Sequence, residues 1–141
     1  MQTFFRLIAF TLAFVLLACS STSAERARCE RCGMYTDTAP NWRAGAATRA
    51  GRPVEFDGPK CLVEWLRTNA RDVAGEPWVT EYYSQTRRPA EGSFFVIGSD
   101  VRGPMGAEFV PLATRADAQR FLAEHHGAEV LTWSEAKARR L

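Results

Sequence analysis

The sequence predicts an α+β fold in which two ββαβ units form one compact domain behind a signal peptide and a short tether. Three observations carry this. A single apolar run stands at the N-terminus, two stretches of helical periodicity follow, each flanked by short runs of strand-like composition, and Gly, Pro and Asp punctuate the boundaries.

Arg6 precedes the apolar run Leu7-Ile8-Ala9-Phe10-Thr11-Leu12-Ala13-Phe14-Val15-Leu16-Leu17, which ends in Ala18-Cys19-Ser20-Ser21. A basic start, a short apolar stretch and a small residue before the break describe a secretory signal, whereas a spanning helix needs about 20 apolar residues. Leu16-Leu17-Ala18-Cys19 resembles a bacterial lipobox, which implies cleavage before Cys19 and lipid on its thiol and new N-terminus. No aspartate follows Cys19, a pattern that in lipoproteins goes with the outer membrane. The expected division is a signal peptide over 1–18, a lipidated flexible tether over 19–27 and the folded domain over 28–141. Roughly 110 residues suffice for one core and not for two. Of 18 Lys+Arg and 16 Asp+Glu, only Arg6 leaves with the signal, so the mature charge is about +1. The arginines are scattered, with pairs at Arg87-Arg88 and Arg139-Arg140 and no basic stripe, which argues against nucleic acid as a partner.

In the first unit, residues 42–49 and 53–56 read as strands around the turn Ala50-Gly51-Arg52, with Pro53 confined to the start of its strand. Asp57 is expected as N-cap of a helix opened by Gly58-Pro59 and running to about Ala70, with Leu62, Trp65 and Leu66 on its buried side. After Gly75 and Pro77, residues 78–83 have the β-branched and aromatic content of a strand. The second unit repeats the order. Residues 93–98 and 106–112 are its first two strands, and Thr114 with Asp117 starts a helix whose inner side carries Ala118, Phe121 and Leu122 and whose C-cap is Gly127. Residues 130–132 return as a strand, and Ser134 caps a short terminal helix.

Chemistry concentrates in Cys29-Glu30-Arg31-Cys32-Gly33-Met34, two thiols and a thioether in one short stretch. Soft sulfur donors select soft metals, Cu(I) foremost. A Cys-x-x-Cys pair serves as a metal clip, a redox dithiol or a disulfide staple. A thioredoxin-type dithiol lies between a strand and a helix start, and no strand-like run precedes Cys29. Zinc would want a second such pair, which this chain lacks, so it would need three Cys and a His; the thioether of Met34 favours copper. With Cys19 lipidated, Cys29, Cys32 and Cys61 make an odd count of thiols. Cys61 falls in the first turn of the first helix beside Lys60, where unpaired N–H groups should ease thiolate formation; it is either a partner of the Cys29-Cys32 pair or a packed core residue. Ser99-Asp100-Val101-Arg102-Gly103-Pro104-Met105-Gly106 frames Met105 with glycines and a proline, a poor place for a core filler and a good one for a soft ligand. His125 and His126 end the second helix, where either compensates the helix dipole or completes a metal site.

Cys32-Gly33-Met34, the helix start from Phe56-Asp57 to Cys61-Leu62, Glu81-Tyr82-Tyr83 and above all the loop Gly98-Ser99-Asp100-Val101-Arg102-Gly103-Pro104-Met105-Gly106 resemble the NosL family of nitrous oxide reductase accessory lipoproteins, over residues 28–134. The resemblance implies a periplasm-facing, lipid-anchored copper chaperone of two ββαβ units, without enzymatic activity, that binds one Cu(I) and passes it to a copper-enzyme assembly apparatus or client apo-enzyme. It implies soft ligands at Cys29, Cys32, Met34 and Met105. The family commonly carries His two residues after the loop methionine; this chain has Ala107, which turns attention to His125 as the imidazole. The rival reading is a membrane-tethered thiol-disulfide oxidoreductase using Cys29 and Cys32.

Overall fold

The computed structural model describes residues 25–141; the expected signal peptide, the lipidation site Cys19 and most of the tether lie outside the described residues. Contacts begin inside the expected tether. The Arg26 guanidinium pairs with Asp37 at 2.6 Å and the Ala27 carbonyl accepts the Thr36 N–H at 3.0 Å.

The chain then builds β1 (Ala44–Thr48), β2 (Pro53–Phe56), α1 (Pro59–Asn69), β3 (Val73–Thr80), β4 (Arg87–Pro89), β5 (Phe94–Ile97), β6 (Val110–Leu112), α2 (Arg115–Glu124), β7 (Glu129–Thr132) and α3 (Trp133–Ala138). The strands form two antiparallel sheets, ordered β2-β1-β3-β4 and β6-β5-β7. In each ββαβ unit the first strand is central and pairs with the second on one side and the third on the other. Alternation along β5 fuses the units into one body. Phe95 and Ile97 join the core that holds Phe56, Leu62, Trp65 and Val79 of the first unit, whereas Val96 turns to the cluster of Val110, Leu112, Ala118 and Phe121. Among the described residues no helix is long and apolar enough to cross a membrane.

Several boundaries depart from expectation. The third strand covers 73–80 and not 78–83: a register shift against Gly45 and Ala47 absorbs Gly75, at φ +71°, and Pro77 into a bulge. Its expected end is a turn, because the Glu81 carboxylate accepts the N–H groups of Tyr83 at 3.2 Å and Ser84 at 2.6 Å. The edge strand β4 has the sequence Arg87-Arg88-Pro89, which carries no strand signal in its composition. The strand expected over 106–112 is confined to β6, since Glu108 turns inward before it.

Caps differ as well. Thr114 caps α2 as expected, accepting the Asp117 N–H at 3.0 Å, but the shorter Asp117 side chain meets the Thr114 hydroxyl instead of its N–H. The left-handed residue after α2 is His126, at φ +53°, and Gly127 is required instead by space, its N–H bonding the Leu122 carbonyl while a Cβ would lie 2.6 Å from Val96. Thr132 caps α3 in a complete capping box with Glu135, which displaces Ser134 into the first turn. Asp57 does not cap α1: the N-cap is Gly58, and no side chain of that position bonds the helix.

Candidate metal centre

A short loop carries the first two thiols. The Cys29 N–H donates to the Met34 carbonyl at 2.7 Å, the Gly33 N–H returns to the Cys29 carbonyl at 2.8 Å, and Gly33 supplies the φ of +77° that the turn needs. Polar ties fix this loop to the first unit: the Glu30 N–H donates to the Glu55 carbonyl at 2.9 Å, Glu30 pairs with Arg52 at 2.8 Å, and Arg31 reaches Glu64 on α1 at 3.3 Å. Cys29 is thereby buried and Cys32 half-buried over the start of α1, where Cys61 is buried in the first turn.

One ligand atom each from Cys29, Cys32, Asp57 and Cys61 lies within 4.8 Å of the others. Among the described residues the three cysteines are free. Asp57 is 1% exposed, and although its carboxyl faces the thiols of Cys29 and Cys61, neither oxygen has a hydrogen bond of good geometry among the described residues. A buried carboxyl with both oxygens unpaired is unfavourable unless something compensates it. Three converging sulfurs around such a group fit a cation, and their softness fits copper, with Asp57 as the one hard donor.

The thiols are unlike one another. The Cys61 thiol directed at its sulfur, opposed by burial and helped by the Asp57 and Cys32 N–H groups, lowers Cys29 to about 6. Burial pushes Cys32 up to about 11. Cys61 is pushed up, first by its bond to Cys29 and then by burial and the Asp57 carboxyl. This reverses the expectation that the helix start would favour a Cys61 thiolate. The Lys60 N–H of that first turn is taken at 2.5 Å by Glu108, a buried carboxyl raised to about 8 by desolvation against the N–H bonds of Phe109 and Lys60.

Met34 and Met105 are two of the few large apolar side chains on the surface, 39% and 45% exposed, so neither fills the core. Met34 adjoins the cluster through its N–H, which points to the Cys32 sulfur. Met105 sits at the tip of a tight turn closed by reciprocal Gly103 and Gly106 bonds of 2.9 and 3.0 Å. His125 lies apart from the thiol group: its ring stacks on Phe121 with centroids 4.3 Å apart, and its Nδ1 meets Asp100 Oδ1 at 3.0 Å. That contact, with the Asp100 N–H on the His125 carbonyl at 3.0 Å, anchors the base of the methionine loop. The structure thus gathers Cys29, Cys32 and Cys61, keeps Met34 adjacent, holds Met105 on its loop and places His125 elsewhere. Sequence reasoning missed Asp57 as a donor, although its position four residues before Cys61 was the available signal.

Comparison with known proteins bears on the family and the fold. The NosL family model matches residues 21–141. The copper-binding lipoprotein NosL of Stutzerimonas stutzeri is 26% identical over 148 residues, which cover 92% of this chain and 77% of that protein. The crystal structure of the copper chaperone NosL from Shewanella denitrificans matches with a TM-score of 0.69 at 21% identity, over 77% of this chain and 87% of that one, and shares the fold.

Proposed function

Because this chain belongs to the NosL family, we propose that it is an exported, lipid-anchored Cu(I) chaperone that delivers copper for assembly of a copper enzyme such as nitrous oxide reductase. The observation that carries this reading is the convergence of Cys29, Cys32 and Cys61 with the unpaired Asp57 carboxyl. The names of the relatives, a copper-binding lipoprotein and a copper chaperone, point the same way.

Cys29 is the readiest thiolate and binds the incoming metal first. Cys32 and Cys61 follow, each releasing its proton to solvent as the metal takes its place. Met34, whose N–H points to the Cys32 sulfur, and Met105, on its exposed turn, are the thioether ligands of the entry and exit route. Release works by ligand exchange, since a two- or three-coordinate Cu(I) takes a sulfur or nitrogen from the client before giving up its own.

Competition of the reduced protein, without its signal peptide, against a Cu(I)-selective chelator tests this. The expected result is one tightly held Cu(I) and much weaker Zn(II). Preferential zinc retention would make the Cys₃Asp group a zinc site. Metal-free protein that reduces a model disulfide through Cys29 and Cys32 would make it an oxidoreductase.

Lipid on Cys19 places the domain on the periplasmic side of a membrane, and the residue after Cys19 favours the outer one. Cys19→Ser should convert a membrane-fraction protein into a soluble periplasmic one. Identical soluble fractionation of wild type and variant would overturn the anchor.

A further inference from the structure

Glu108 is 3% exposed and, among the described residues, makes no ion pair. Its Oε1 accepts the Lys60 N–H at 2.5 Å and the Phe109 N–H at 2.9 Å. The first of these bonds crosses from the second unit to the first turn of α1, which has no cap of its own. Two glycines clear the space around this side chain. A Cβ on Gly58 would lie 2.4 Å from Glu108 Oε2, and a Cβ on Gly103 would lie 2.9 Å from its Cγ. Neither glycine has the positive φ that would demand glycine for backbone reasons, so both are required by close approach.

Gly58 is the N-cap of the helix that carries Cys61, and Gly103 opens the tight turn that carries Met105. We infer that Glu108 is a positioning residue: it caps α1 from the opposite unit and holds the Met105 turn against the thiol-bearing end of that helix. Two consequences follow from one side chain. Asp57 is released from capping and faces the thiols, and the loop thioether is set at a fixed place relative to them. The inference rests on the reading of Met105 as a copper ligand.

The test is a double-mutant cycle on the domain without its signal peptide, with Cu(I) affinity measured by chelator competition and loop order by trypsin cleavage after Arg102 in the metal-free protein. Glu108→Ala should lower Cu(I) affinity about tenfold, the range seen when groups supporting metal ligands are removed, and should open Arg102 to cleavage. In a Met105→Leu background the same change should lower affinity no further. Glu108→Gln, which keeps the shape and the acceptor oxygen, should restore both readouts to near the wild type. Additive losses, or a loop as protected in Glu108→Ala as in the wild type, would overturn the inference. Should Glu108→Ala not fold, Gly103→Ala pushes the turn off the same side chain and must show the same non-additivity with Met105→Leu. If Met105→Leu alone leaves affinity unchanged, the methionine-ligand reading falls, and protection of Arg102 still decides whether Glu108 holds the loop.

Discussion

The two ββαβ units share strand order and pairing but start their helices in opposite ways. In α2 the start is local and self-sufficient: Thr114 accepts the Asp117 N–H, and Asp117 accepts the Thr114 hydroxyl. In α1 the residue expected to cap is turned away into a group of thiols, and the cap comes from Glu108, 48 residues along the chain. The same topology therefore carries a structural helix start in one unit and a chemical one in the other. A start that breaks a local rule while its twin obeys it marks the functional end of the molecule.

The largest effect expected from breaking this difference is on copper. Cys61→Ser replaces the soft donor that α1 contributes and should lower Cu(I) affinity on the order of 100-fold, about 2.7 kcal/mol. Chelator competition measures it. An equal loss from a substitution at the start of α2 would show that the two starts do not differ as argued.

Titration sharpens the comparison next. Cys29 is lowered to about 6 by the Cys61 thiol, so its thiolate is present above that pH and protonated below it. Far-ultraviolet thiolate absorbance of the reduced, metal-free protein should rise by one group near pH 6, and this step should vanish in Cys29→Ser. Because the folded value lies below that of an ordinary thiol, this group stabilises the fold at high pH and loses that contribution as pH falls through about 6. Raised Cys32 acts in the opposite sense at high pH, up to about 11. Cu(I) binding should weaken below pH 6 as a proton competes for Cys29.

Met105→Leu comes third. Leu fills similar volume, so folding should change by less than about 1.5 kcal/mol, and an exposed position should be more tolerant still. Copper affinity should fall about tenfold, or about 1.4 kcal/mol, because Leu offers no lone pair.

What the sequence made legible was whatever is local. Apolar runs and turn residues placed both helices and the order of strands, and Cys-x-x-Cys-Gly-Met stood out by composition alone. The failures are long-range. Asp57 before Gly58-Pro59 has every local mark of an N-cap, and nothing nearby reveals that Glu108 takes that role and leaves Asp57 to the thiols. Gly75 and Pro77 read as strand breakers because the bulge that accommodates them is set by pairing with β1. The helix position of Cys61 predicts an eased thiolate there, whereas the tertiary contact between the two thiols lowers Cys29 and raises Cys61. The place of His125 is likewise set by tertiary contacts: Asp100 at its Nδ1 and Phe121 against its ring hold it at the base of the methionine loop and away from the thiols.

The smallest effect is the most direct comparison, one truncation made at each helix start. Thr114→Ala removes a real cap from α2 and should destabilise the protein by about 1 kcal/mol in chemical denaturation, with Cu(I) affinity untouched. Asp57→Ala removes no cap bond, because none exists, and it takes away two buried oxygens without partners. Leaving such groups in place is unfavourable, so the metal-free variant should be as stable as the wild type or up to about 1 kcal/mol more stable. Adding Cu(I) should then reverse the ranking, since ligand binding stabilises the native state in proportion to affinity and the variant has lost a donor or its charge. Denaturation of both variants with and without Cu(I) reads all four values. A loss of stability in metal-free Asp57→Ala equal to that of Thr114→Ala would mean that Asp57 supports α1 as an ordinary cap after all, and the two helix starts would then be alike.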